Sequence, residues 1–332
     1  MKVMKSIIPV CIMLFLCLVC AQAADSAGRN FTVLSPPDGS LVESPTISLV
    51  VRIESTNIDD IRVEVGGRRQ SPFKKQMGRI FVCLEGIRLS PGGNPLRITG
   101  VKDDKKVEEL NYRIYYRSDL ASEANTAPAG YTRYYFHTPG HEKECLSCHR
   151  LDFSGVEDAP STPEKSPCYV CHRKMLLSYR QVHGPAAVWS CTVCHDQRAK
   201  RHKMDTPQPD EKLCKGCHES AWQGKKYKHG PTAAGECTVC HNPHGSDEPS
   251  FLRLKTAELC VACHEEVASQ PHLISALSGR GGHPVYKSPD PFNPDRDFTC
   301  ISCHNPHAND FPYLLGSDSS SMFQFCQTCH KM

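Results

Sequence analysis

The chain has 332 residues, enough for two domains, with 39 basic and 36 acidic side chains giving a formal net charge of +3 at pH 7. That balance gives no support to nucleic-acid binding, which needs a basic face. The one long apolar run is N-terminal, and none later is long enough for a membrane span of about 20 residues.

At the N-terminus, Lys2 and Lys5 precede a 14-residue apolar run, Ile7 to Cys20, and the small-x-small signal Ala21-Gln22-Ala23. These are the three parts of a secretory leader. Residues 1–23 are expected to be a signal peptide, with the mature chain beginning near Ala24 and exported to the periplasm, the extracellular space or the outer surface. A lipid anchor at Cys20 is the lesser alternative, since Val19 stands where a small residue is wanted.

Residues 24–118 alternate or are β-branched in Phe31 to Leu34, Thr46 to Ile53, Asp60 to Val65, Arg79 to Leu84, Leu96 to Thr99 and Val107 to Tyr115. Gly66-Gly67, Pro91-Gly92-Gly93 and Asp103-Asp104 punctuate them as turns. The expected product is a small antiparallel β-sandwich of six or seven strands, with Cys83 a small buried strand residue. Its pattern resembles bacterial immunoglobulin-like or fibronectin III modules. Residues 119–136 are polar and Ala-rich at their start and are expected to be a linker.

The final stretch, 137–332, holds eight copies of Cys-x-x-Cys-His, the first six spaced by 23 residues. Their cysteines are Cys145 and Cys148, Cys168 and Cys171, Cys191 and Cys194, Cys214 and Cys217, Cys237 and Cys240, Cys260 and Cys263, Cys300 and Cys303, and Cys326 and Cys329. Each motif ends in a histidine: His149, His172, His195, His218, His241, His264, His304 and His330. In such a motif two thiols add across the vinyl groups of a haem and the adjacent imidazole takes the iron. Sixteen cysteines would also fill four Cys₄ zinc sites, but zinc has no need of a histidine after every second cysteine. The expected cofactor is therefore haem c, eight copies, covalently bound.

Larger units recur as well. His229-Gly-Pro, Cys237-Thr-Val-Cys-His-Asn-Pro-His-Gly245 and Leu259-Cys-Val-Ala-Cys-His264 form one, and Cys300 to His307 repeats its middle part. On these elements, residues 137 to 332 resemble the doubled-CXXCH multihaem c-type cytochromes, although the first unit departs by lacking a histidine just downstream of its first motif. The resemblance implies a haem-packed, mostly irregular domain with short helices, four units of two haems each, and transfer of electrons to other redox proteins.

Nine histidines stand outside the motifs, all within the same stretch, and eight are needed for bis-imidazole ligation throughout. His137, His141, His183, His202, His229, His244, His283 and His307 are the expected distal ligands, two per unit. His272 is the spare and the substitute for His202, which sits in the basic run Arg198 to Lys203. Bis-imidazole ligation predicts low-spin, low-potential haems.

With about 24 residues per haem, the cofactors are expected to form much of the core, near contact with one another. From residue 131 onward 22 basic and 22 acidic residues cancel, so the propionates would make the loaded domain acidic and steer a basic redox partner to it. The leading expectation is an electron-transfer protein of anaerobic or extracellular respiration, with other cytochromes or a terminal reductase as partners. The alternatives are a multihaem oxidoreductase of the nitrite or hydroxylamine type, which needs an open iron position, and a subunit of a homopolymeric filament.

Overall fold

A computed structural model describes residues 28–78, 80–147, 149–153, 160–218, 222–269, 283, 285–316 and 321–331. The expected signal peptide, Cys148 and His272 lie outside these residues. The chain forms two compact units: residues 28–117 with 127–136, and residues 118–126 with 137–331.

The first unit is two sheets around one apolar core. One sheet has the order β1 (Phe31–Ser35), β3 (Thr46–Ile53), β7 (Phe81–Arg88), β6 (Phe73–Met77). The other runs β10 (Thr132–Arg133), β2 (Ser40–Val42), β9 (Lys105–Tyr116), β8 (Gly92–Lys102), β4 (Asp60–Val65), β5 (Arg68–Arg69). Strand alternation sends every second side chain inward. Thus Phe31, Leu49, Val51, Leu84 and Ile87 of one sheet meet Ile61, Val63, Leu96, Ile98 and Ile114 of the other, all at most 2 % exposed. Burying each stabilises the unit by about 1.5–3 kcal/mol before entropy is counted.

Two features depart from the expected antiparallel sandwich. β2 pairs parallel to β9, and β10 parallel to β2. Within 119–136, taken as a linker, Thr132 N donates to Gly39 O at 2.9 Å, Tyr134 N to Leu41 O at 3.0 Å, and the Tyr134 hydroxyl meets Ser35 Oγ at 2.5 Å. These bonds give Thr132–Arg133 a place in the sheet that its two exposed polar side chains do not announce. Cys83 lies on β7, opposite Val50 and Lys75, and is half-buried where a buried residue was expected.

The second unit has little regular structure. Its helices are short, the longest among the described residues being Tyr169–Leu177. Two small antiparallel ladders tie distant segments: β11 (Gln181–Val182) to β13 (Gly245–Ser246), and β12 (Tyr227–Lys228) to β14 (Ala308–Asn309). The first requires a glycine, because a Cβ on Gly245 would lie 2.6 Å from Gln181 O and 2.9 Å from Tyr179 Cδ2.

Candidate functional site

All eight motifs make the same local turn. In each, the histidine N–H donates to the carbonyl of the first cysteine, at 2.8 to 3.1 Å, from His149 on Cys145 to His330 on Cys326. One helical turn puts positions i, i+3 and i+4 on one side of the backbone, so in the seven motifs described in full the two cysteines and the imidazole share a face. The seven motifs after the first nevertheless fall into two kinds. Cys191–Val193, Cys237–Val239 and Cys300–Ser302 are 3₁₀ turns. The alternate motifs begin on or immediately before short α-helices: Tyr169–Leu177, Glu211–Cys214, Thr256–Val261 and Met322–Gln327.

Among the described residues, six ring pairs set a motif histidine opposite a histidine from outside the motifs. The ring centroids are 6.3 Å apart for His137 and His172, 6.0 Å for His183 and His218, and 6.0 Å for His195 and His244. They are 5.9 Å apart for His229 and His264, 5.9 Å for His241 and His307, and 6.1 Å for His283 and His330. Two imidazoles that held one iron through bonds of about 2.0 Å, with a ring radius of about 1.1 Å on each side, would have centroids about 6 Å apart. All six pairs therefore fit one iron between their rings, and each carries two cysteines beside the motif histidine.

The partners follow a rule that the sequence does not display. His137, His183, His229 and His283 face the second motif histidine of their own unit. His244 and His307 instead reach back to His195 and His241, the first motif histidines of the preceding units. The ladders enforce this interlock: the bond from His183 N to His244 O at 3.2 Å continues the β11–β13 pairing, and that from His229 N to His307 O at 3.0 Å continues β12–β14. Of the other expected ligands, His141 has Nδ1 3.0 Å from Thr138 Oγ1, and the His202 carbonyl accepts from Asp205 N at 3.0 Å.

Hydrogen bonds hold several imidazoles from behind. His195 Nδ1 lies 2.8 Å from Met204 O, His241 Nδ1 2.8 Å from Ser250 O, and His304 Nδ1 2.8 Å from Tyr313 O. The His229 ring also donates to the Pro306 carbonyl. A donor bond at Nδ1 leaves Nε2 free for a metal and fixes the ring plane. Met204, Ser250 and Tyr313, each nine residues after its histidine, have positive φ of 67°, 54° and 61°. For non-glycine residues this is strained backbone, kept where surroundings demand it. These three residues leave no motif in the sequence because they act through their carbonyls; the constant offset of nine is the signal they do leave.

His137 Nδ1 meets a carboxylate instead, Glu142 Oε1 at 2.9 Å. Burial would raise the Glu142 pKa, but hydrogen bonds from Lys203 and His137 outweigh it and hold the carboxyl below its ordinary value. Burial, followed by the neighbouring His137, His195 and His244, pulls His172 down to about 4. Burial, followed by His195 and His183, pulls His244 to about 4 as well. Both rings are thus neutral at pH 7, the form that coordinates metal.

Successive motifs touch in alternation. The first cysteines hydrogen-bond across motifs: Cys168 with Cys191, Cys214 with Cys237, and Cys260 with Cys300. The second cysteines stand near enough in between to influence one another's charge. After burial, Cys217 pushes the Cys194 thiol up, Cys263 pushes Cys240 up, and Cys329 pushes Cys303 up. From the second motif to the eighth, each site therefore borders the next.

The model for the doubled CXXCH motif family matches residues 183–222, 229–269 and 291–332. Three segments of the chain are doubled CXXCH motifs. Such motifs bind haem c covalently, and several in one chain are the attachment pattern that multihaem c-type cytochromes carry. The interlocking pairs above join all three doubled CXXCH segments.

No curated protein matches the chain. Similar solved structures include a putative β-galactosidase from Bacteroides fragilis, at 18 % identity and TM-score 0.21, covering 28 % of this chain and 13 % of that one. An endo-β-1,4-mannanase from Thermotoga petrophila has 16 % identity and TM-score 0.23, covering 28 % and 21 %. The Bacteroides ovatus mixed-linkage glucan utilization locus protein SGBP-B has 16 % identity and TM-score 0.16, covering 36 % and 34 %. This chain thus spans about a third or less of their lengths, and these likenesses carry no argument.

Proposed function

We propose that the mature chain carries eight covalent haems c and passes electrons along them, as an exported electron-transfer protein of anaerobic or extracellular respiration and not as an enzyme. One observation carries the reading: in the series of seven bordering sites from the second motif to the eighth, six hold an imidazole pair at iron-spanning distance, the exception being the seventh motif at His304. Haem c supplies the one-electron chemistry. The protein's part is to hold neutral imidazoles on both sides of the metal, so that no substrate reaches it at these six sites. Redox protein partners, other cytochromes or a terminal reductase, follow from that arrangement.

The second unit also has the composition of a shell around cofactors. The chain's large apolar cluster belongs wholly to the first unit, whereas Leu146, Leu177, Val188, Val193, Tyr313 and Phe323 of the second are 47 to 76 % exposed. Haem packed against such side chains would supply the missing core. The back-reaching rule, applied one unit earlier, gives His149 the imidazole of His202. His141 and His272 then remain as candidates for His304.

Electron paramagnetic resonance of the oxidised holoprotein tests the reading. Low-spin signals alone are expected, and a substantial high-spin signal would favour an enzyme with an open iron position.

A further inference from the structure

The His137–His172 site differs from its neighbours in what stands behind one of its imidazoles. His195, His229, His241 and His304 donate to neutral backbone carbonyls, whereas His137 faces the Glu142 carboxylate at 2.9 Å. Glu142 is buried, its side chain 9 % exposed, and it is locked in place from the other side. Lys203 Nζ donates to Glu142 Oε1 at 2.8 Å and Oε2 at 3.0 Å, and to Leu151 O at 2.7 Å, with Phe153 under its ammonium at 5.1 Å. The same short segment serves the adjoining site, because the next residue, Met204, accepts from His195 Nδ1.

We infer that Glu142 is a positioning residue that lowers the reduction potential of the second-motif site, and that Lys203 limits how far. The inference rests on reading His137 and His172 as an axial pair. With Nε2 on the metal, Nδ1 keeps its proton and donates it to the carboxylate. A charged acceptor draws that proton more strongly than a carbonyl does, leaving more electron density on the ring and so on the metal. The added density stabilises the oxidised state and makes gain of one electron less favourable. No proton leaves the pair in this step; only its sharing between Nδ1 and Oε1 changes. The Lys203 ammonium, bonded to both carboxylate oxygens, withdraws part of that charge. The site would therefore stand below its carbonyl-backed neighbours, a low step at one end of the series.

Spectroelectrochemical titration of the full-length holoprotein tests this with two substitutions of opposite effect. Glu142→Gln keeps the shape and replaces the carboxylate with a neutral acceptor. One of the one-electron steps should move upward by at least tenfold in its equilibrium constant, ~59 mV, with haem content and low-spin signals unchanged. Lys203→Met should move the same step downward. Near-infrared magnetic circular dichroism, which reports the axial ligand field, should shift for one site in each variant. No displaced step, displacement of both variants in one direction, or loss of a low-spin centre in Glu142→Gln would overturn the inference. A His137→Ala control separates the two levels of argument: if it keeps every low-spin centre, the axial pairing itself is wrong, whatever Glu142 does.

Discussion

Single residues decide which imidazole serves which site. Substituting His244 by Ala should turn the site of His195 high-spin, and substituting His307 should do the same at His241, each in the unit before the one mutated. Magnetic spectra of the two holoproteins check this, and a change at His218 or His264 instead would refute the interlock. For the first site, His202→Ala should cost one low-spin centre while His141→Ala leaves His149 unaffected. The candidate histidines were legible in the sequence because all nine cluster in the motif region. Their pairing was not, since it is set by two-residue ladders such as Gln181–Val182 with Gly245–Ser246, too short to leave a pattern. The carbonyls of Met204, Ser250 and Tyr313 were equally hidden, because a backbone acceptor imposes no side chain.

Among the elements, the ladders and the β-sandwich carry separate loads. Gly245→Val would push a side chain into Gln181 O and Tyr179, at a cost of about 1–3 kcal/mol for overpacking. Because β11 and β13 seat His183 and His244 together, limited proteolysis should find this variant cut near both segments, with two perturbed haem spectra. In the first unit, Leu49→Ala should lower stability by about 2–5 kcal/mol, read as the shift in thermal or denaturant midpoint of residues 24–136 expressed alone. That fragment should be more stable than residues 24–118, because it keeps β10 with its bonds to Gly39, Leu41 and Ser35. The long strands β3, β4, β8 and β9 were legible from their alternation. β6 was not: Phe73–Met77 is an edge strand of mixed burial with two lysines, and nothing apolar on it repeats at every second position. β10 was likewise hidden, since it is held by backbone bonds and by the Arg133–Glu43 ion pair.

For the whole molecule, a self-sufficient apolar core in one unit and its scarcity in the other call for different folding. The first unit should fold without cofactor, whereas the second should gain order only as haem is attached, which circular dichroism of protein made with and without haem supply would report. The number of motifs is the strongest signal in the sequence, and the alternation of first-cysteine hydrogen bonds with second-cysteine proximity turns that number into a spatial order. The central claim is that every motif holds a haem in this series. Intact-mass analysis of the purified, mature holoprotein after acid-acetone extraction tests it most directly. The account predicts a mass equal to the chain without its leader plus eight covalent haems; a chain carrying zinc, or fewer than seven haems when maturation is not limiting, would contradict it.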